Sequence, residues 1–387
     1  MKIVCISFGP IIEAKSGYFN LVNESIKAIR KYYAVDSVEF VNSQDLCLVR
    51  GLVDLNRLFV QIEGGLQGGS WLTKLSTIFF NSLRMHNIIK KYDVVIIESS
   101  VFLSYAVLGR IFHKKVIFAT HGMNLEMAWH NKNRPIKYFE QLFQAYFLDK
   151  ISSLVSDIVL VTSNHDKEIA INSLHIKETK LRIRPVVISQ PDIDVLGESS
   201  KQALRNKLGI SEETFIGLII GDYSAEQNWK ALDFLFSTER MFPENFILLV
   251  IGKTYGRYTS TRKIRVLEYV ENINLYYELA DGLILPLSTG MGIKTKIIES
   301  MAHGLRIFTT PIGIQGIDLE GCEGIYVYNL GDFWERFKQD MGKLDYSEKC
   351  QCLISLYHKK YSSESVENAL KEIIFSLDND HEKEKKL

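Results

Sequence analysis

The residues best suited to chemistry lie between positions 280 and 316, which read ADGLILPLSTGMGIKTKIIESMAHGLRIFTTPIGIQG. Positions 282–287 form a buried apolar strand with Pro286 near its end, and 288–292 place Gly290 and Gly292 around Met291 in a loop. A helix over 294–303 follows, stopped by Gly304 in the C′ position. A glycine loop at the carboxyl end of a strand, running into a helix, presents free backbone N–H groups and the positive end of the helix dipole. Lys294 and Lys296 add full positive charge there, so an anion such as a diphosphate is the natural occupant. Glu299 lies about one turn further on, where a carboxylate can accept hydrogen bonds from vicinal hydroxyls, as on a ribose. A solvated helix residue is the plainer reading of Glu299, but Ile297, Ile298 and Met301 supply the buried face beside it.

The rest of the chain has to position that segment. At 387 residues it is too long for one ordinary domain, so two are expected. A composition of 46% apolar, 24% charged and 11% aromatic residues excludes a disordered chain, a collagenous fibre and a disulfide scaffold. No window holds the roughly 20 uninterrupted apolar residues of a membrane span, and Met1 to Ser7 enters a strand-like run without a secretory pattern. The expectation is a cytoplasmic protein with reduced thiols at Cys5, Cys47, Cys322, Cys350 and Cys352.

Short β-branched runs at 2–8, 93–97, 115–120 and 157–162 alternate with helical spacing at 19–33 and 102–112 and with a long aromatic-rich helix at 136–156. This rhythm predicts right-handed βαβ crossovers and a parallel sheet covered on both faces. Between 180 and 196 two prolines and lost periodicity mark a connection, after which strands at 215–221, 246–252, 264–269, 282–287 and 306–309 restart the pattern. The expected division is therefore 1–190 and 191–360, with a last helix over 361–377 and a frayed tail beyond it. Positions 51–82 fit poorly. They hold the glycine-rich 64–70, read as a surface excursion, and an apolar stretch from Trp71 with Lys74 and Arg84 that suits either a core helix or a membrane-surface contact. Formal charge is zero overall, yet residues 1–190 carry 23 Lys and Arg against 16 Asp and Glu, while the remainder carries 23 against 30. A basic first half favours an anionic partner.

The ordered set Ala280, Asp281, Pro286, Gly290, Gly292, Lys294, Lys296, Glu299 to Ala302, Gly304, Thr309, Thr310, Gly313 and Gly316 resembles the donor-binding signature of GT-B glycosyltransferases, the retaining family 4 (group 1) in particular. Asp222 to Asn228 resembles the loop after the first strand of that family's nucleotide domain, and Ser16-Gly17 its N-terminal loop near donor phosphate and acceptor. Thr120-His121-Gly122 resembles its strand-end histidine, and Tyr361 to Glu364 the start of its last helix, which crosses back to the first domain. The resemblance implies an α/β fold of two Rossmann-like domains facing across a cleft. It implies transfer of a sugar from a nucleoside-diphosphate sugar to a glycan, polysaccharide or lipid-linked acceptor, with retention, no cofactor and no metal ion. Glu299 would hold the ribose, while Gly290, Met291, Gly292, Ile293, Lys294, Thr295 and Lys296 would contact the diphosphate and the sugar. His121 with Gly122 would stand near the reaction centre, with Gly17, Asp222, Asn228 and Lys253 completing the substrate contacts.

One departure stands out. Many relatives carry a glutamate eight residues before the one that matches Glu299, and here that position is Met291, whose thioether cannot accept a strong hydrogen bond from a sugar hydroxyl. Two rival readings follow: a catalytically silent homologue that binds sugar or nucleotide, and a sugar-nucleotide epimerase on the same fold. The expected partners are a sugar nucleotide and a glycan or lipid-linked acceptor, with peripheral contact at an inner membrane face and no nucleic acid.

Overall fold

The computed structural model describes residues 1–9, 17–41, 56–61, 79, 81, 85–188, 198–346 and 348–385. The glycine-rich 64–70, most of the Trp71 to Arg84 stretch, Ser16, Cys47 and Asp192 to Asp194 lie outside them. The chain divides into two compact units, one of Met1–Ser189 with Ser363–Leu387 and one of Gln190–Ser362.

The first unit is built on strands β1 (Lys2–Phe8), β2 (Ala34–Val41), β3 (Arg57–Gln61), β4 (Val94–Ile97), β5 (Lys115–Ala119), β6 (Ile158–Val161) and β7 (Leu181–Ile183). They form one sheet in the order β3-β2-β1-β4-β5-β6-β7, and every pairing is parallel. Strands such as β4 and β6 are buried at every position because helices cover both faces, which is why their sequences are unbroken apolar runs rather than alternating ones. The last helix, Ser363–Lys385, returns to this unit and packs on helix Gly17–Arg30, with Glu367 pairing Lys31 and accepting from the Tyr32 hydroxyl at 2.8 Å. It continues as helix to Lys385, past the point where fraying was expected.

The expected helix over 136–156 is one helical run in three pieces. Pro135–Phe143 and Lys150–Val155 are α-helical, and Gln144–Asp149 is a π turn between them. Sequence periodicity misses such a turn because one wider turn shifts the register without breaking the helix. Buried Asp149 anchors the run from inside, accepting from Asn124 Nδ2 at 2.9 Å.

The second unit repeats the plan with β8 (Phe215–Ile220), β9 (Phe246–Ile251), β10 (Ile264–Leu267), β11 (Gly282–Leu285), β12 (Arg306–Thr309) and β13 (Ile325–Val327), ordered β10-β9-β8-β11-β12-β13 and all parallel. Gly217 of β8 faces Gly282 of β11, and a Cβ on either would come within 2.7 Å of the Phe246 or Phe308 ring. Those rings belong to an aromatic core with Phe215, Phe337 and Trp334. Glycine here makes room for aromatic volume. Cys322 and Cys352, expected as separate thiols, are instead disulfide-paired with Cα atoms 5.8 Å apart. Thirty residues separate them in sequence, and only the tertiary fold brings them together. Gly217→Val should overpack the aromatic core and cost about 1–3 kcal/mol, read as a lower urea midpoint for the second unit; an unchanged midpoint would contradict the packing account.

Candidate functional site

In each sheet the strand order reverses once, between β1 and β4 in the first unit and between β8 and β11 in the second. Ligand crevices of open parallel sheets lie beyond the carboxyl ends of the strands at such a switch point. The candidate residues follow carboxyl ends of strands in both units, in the first from β4 outward through β5 to β7.

In the second unit, the loop after β8 begins at Gly221 and the loop after β11 runs through Gly290 to Lys294. Gly290 takes φ +144° and Gly292 φ +62°, and a Cβ at Gly290 would approach the Gln227 side-chain oxygen to 2.4 Å. Backbone geometry favours glycine at both positions, and close approach adds to it at Gly290. Helix Thr295–Ala302 starts at Thr295 with Lys294 as N-cap. It ends in a Schellman motif: Gly304 N–H donates to Met301 O and Leu305 N–H to Ser300 O, both at 2.9 Å.

Lys294 and Lys296 take different parts. Lys294 is buried and its ammonium turns back onto the loop, donating to Gly292 O at 2.6 Å and Met291 O at 3.1 Å. It pins the loop, where the sequence suggested open positive charge; an N-cap backbone aims its side chain only once the loop is folded. Lys296 Nζ instead donates to Asn228 Oδ1 at 2.8 Å and lies 3.2 Å from where a Gly221 Cβ would stand. Asn228 in turn donates to Asp222 O at 2.8 Å. Burial pulls the Lys296 ammonium down to about 8, against the attraction of Glu299. Met291, Ile293 and Thr295 are half-buried along the same loop.

Glu299 accepts from the Tyr277 hydroxyl at 2.6 Å. Tyr277 is buried, its ring stacks on His303 at 4.7 Å, and His303 Nδ1 lies 2.8 Å from Glu278. One Glu299 oxygen is thus held, and a carboxylate has acceptor sites left for two hydroxyls. Burial, then Glu299, raises the Tyr277 phenol well above its ordinary value, so it stays a donor. The motif did not disclose Tyr277, which lies on a separate helix, Asn274–Leu279. Asp222 is exposed at the end of β8; the Ser224 backbone N–H at 2.9 Å holds its carboxyl below the usual range. Lys253 is exposed just after β9. Gly252 between them needs φ +121°, and any Cβ there would strike Gly221 O.

In the first unit, His121 and Gly122 follow β5, and Gly122 has φ +111°. His121 Nε2 lies 2.9 Å from Glu98 Oε2, just beyond β4, and its ring is 4.2 Å from that of Tyr18. Arg184, directly after β7, clamps Glu98 with two bonds of 2.8 Å, both residues being 1% exposed. Burial alone would push Glu98 up, but Arg184 and His121 outweigh it and hold the carboxyl at about 2. His121 is itself pushed below its ordinary value, chiefly by burial and then by Arg184, with Glu98 opposing. Sequence reasoning singled out His121 and missed its partners. Glu98 carries the same signal, a polar residue closing an apolar strand, whereas Arg184 sits in a stretch that reads as a connection. Gly17 opens helix Gly17–Arg30.

The architecture of the two parallel-sheet units is that of the GT-B fold. The crystal structure of Anabaena Alr3699/HepE in complex with UDP and glucose matches with TM-score 0.68 at 12% identity, over 97% of this chain and 100% of that one. Apo lipopolysaccharide outer core galactosyltransferase WaaB matches with TM-score 0.66 at 13% identity, over 97% and 99%. UDP-GlcNAc 2-epimerase from Methanocaldococcus jannaschii matches with TM-score 0.58 at 13% identity, over 97% and 100%. At such identities the likeness is one of fold, and transferases and an epimerase share it. The model for Glycosyl transferases group 1 matches residues 214–344, all within the second unit. No curated protein sequence matches the chain.

The Lys296 environment makes a prediction of definite sign. Its ammonium titrates near 8 in the folded chain and near 10.5 when unfolded, so the unfolded chain binds the extra proton between those values. Wild type should gain stability relative to Lys296→Met as pH rises from 8 to 10, measured by urea midpoints at each pH. A difference that stays flat would refute the buried-ammonium reading.

Proposed function

We propose that the chain transfers a glycosyl group from a nucleoside-diphosphate sugar to a glycan, polysaccharide or lipid-linked acceptor, with retention of configuration and without a metal ion. The observation that carries this is the convergence, at the switch point of the second sheet, of Glu299, the Gly290–Gly292 loop and Lys296. In this reading Glu299 takes the ribose hydroxyls, while the loop amides and the start of helix Thr295–Ala302 face the diphosphate. Lys296 sits where negative charge grows on the leaving diphosphate, and a preorganised cation with helix-end amides can stabilise that charge without a metal. Lys294 acts by holding the loop in shape, and Asn228 aims Lys296. Asp222 and Lys253 border the same strand ends. His121 meets the reacting sugar in this reading, with Gly122 and Gly17 giving close backbone approach. The group 1 match and the UDP and glucose held by HepE favour this over an epimerase, which needs carboxylates converging on the sugar where this loop carries Met291.

Incubation with UDP-, GDP- and ADP-sugars should give slow donor hydrolysis that persists in EDTA. A new sugar nucleotide would instead mark an epimerase, and binding without turnover a silent homologue. Glu299→Ala should weaken UDP binding by about 10-fold or more, the worth of a hydrogen bond to a charged group, by calorimetry.

One face of the first unit supports an acceptor at a membrane surface. Along the helical run from Pro135, Ile136 is 84% exposed, Phe139 66% and Leu154 65%, with Phe143, Tyr146 and Phe147 also outward. Lys132, Arg134, Lys137 and Lys150 lie along the same stretch of chain, with Glu140 among them and Asp157 after it. Aromatic and aliphatic side chains beside cations suit an anionic lipid interface. Among the described residues, no helix is long and apolar enough to cross a membrane. The full chain should sediment with phosphatidylglycerol vesicles, and Ile136→Ser/Phe139→Ser should remove that binding; unchanged binding, or a dimer dissolved by the same changes, would refute the membrane assignment.

A further inference from the structure

The reading of His121 leaves open which of its nitrogens meets substrate, and the buried groups behind it decide. Glu98 closes β4, His121 follows the adjacent β5 and Arg184 follows β7, one strand further on across β6, so the carboxyl ends of one sheet deliver them to one point. Arg184 Nη1 donates to Glu98 Oε1 and Nη2 to Glu98 Oε2, both at 2.8 Å, in a bidentate pair. Arg184 Nη1 also lies 3.4 Å from Ser25 Oγ, and Cys5 Sγ approaches Glu98 Oε1 at 3.8 Å. The carboxylate is therefore fixed in orientation before His121 is considered.

His121 meets that carboxylate through Nε2, at 2.9 Å from Oε2. An ionised carboxylate only accepts, so Nε2 must carry the hydrogen. In a neutral imidazole the other nitrogen then holds a lone pair. The remaining group on the ring is Tyr18, whose ring lies 4.2 Å away and whose hydroxyl is taken by the Phe8 backbone N–H at 3.2 Å. The charged and titratable groups facing His121 among the described residues are thus Glu98, Arg184 and Tyr18.

We propose that Glu98 and Arg184 are positioning residues: the guanidinium clamps the carboxylate, and the carboxylate holds His121 in its Nε2–H form, so that Nδ1 is offered as the acceptor for a hydroxyl of the bound sugar. This rests on the assignment of His121 to the reacting sugar and adds what fixes its chemistry. The pair lies too deep to touch substrate, each side chain being 1% exposed. It acts through the ring. The arrangement also opposes protonation: Arg184 Nη2 stands 3.4 Å from Nε2, and burial penalises the imidazolium. A cationic His121 would offer two donors and no acceptor.

The full-length protein labelled with 15N-histidine tests this directly. Long-range 1H–15N spectra should show His121 in wild type as Nε2–H with Nδ1 unprotonated. Glu98→Gln keeps an amide carbonyl for Nε2–H but removes the charge that favours protonation. It should retain the tautomer while the His121 titration midpoint falls by about one pH unit. Glu98→Met removes the acceptor and should give a tautomer mixture. Should Glu98→Met not fold, Glu98→Gln alone decides. An Nδ1–H tautomer in wild type, or a midpoint unmoved by Glu98→Gln, overturns the proposal. A merely structural Glu98 would lower stability and leave both signals in place. His121→Ala separates the underlying assignment: full retention of UDP-glucose turnover would remove the role of His121 at the sugar, whatever the spectra show.

Discussion

An all-parallel sheet buried on both faces has nowhere to carry polar chemistry except its ends. Its interior positions must be apolar, because helices cover each face and a polar side chain there would lose water without finding a partner. The central strands obey this constraint, and the exception in the first sheet is a matched one: Glu39 of β2 is buried against Arg57 of β3, which donates to it at 2.6 Å. β4, β6 and β11 are buried throughout, and the candidate site residues follow such runs: Glu98 after β4, His121 shortly after β5, Ser288 to Lys294 beyond β11. The switch in strand order then opens a crevice between the loops that diverge from it.

Placing cations and carboxylates in that crevice carries a desolvation cost, and the two units meet it in different ways. The first unit neutralises a buried carboxylate with a bidentate guanidinium, a pairing whose geometry and hydrogen bonds offset the loss of water. In the second unit Lys294 donates to loop carbonyls, Lys296 donates to an amide oxygen, and Glu299 accepts from a phenol, so neutral polar groups share in replacing the lost water.

Backbone conformation supports both arrangements. Gly252 and Gly290 hold left-handed φ values in places where a Cβ would strike Gly221 O or the Gln227 side chain, so strand-end loops approach one another to backbone distance. The aromatic core beneath, filled through Gly217 and Gly282, fixes the strands from which those loops spring. Rigid strands with close-packed loops can hold Glu299, Lys296 and Asn228 within hydrogen-bond reach of their partners before any ligand arrives.

The linear chain by itself determined the strands that are continuous apolar runs, β1 over Lys2–Phe8 being readable to the residue, but it did not disclose β2, with Asp36, Ser37 and Glu39 in its run, nor the short β3, β7 and β13. It also determined the glycine loop, the helix it enters and the stop at Gly304, since these are local events governed by φ and by hydrogen bonds four or five residues apart. What it could not contain is anything that depends on two distant segments meeting. Tyr277 behind Glu299, Arg184 behind Glu98, the turning of Lys294 onto its own loop and the pairing of Cys322 with Cys352 are all of this kind. Spacing along the chain carries no information on such contacts, because sheet order and side-chain packing, not sequence separation, set which atoms come within 3 Å.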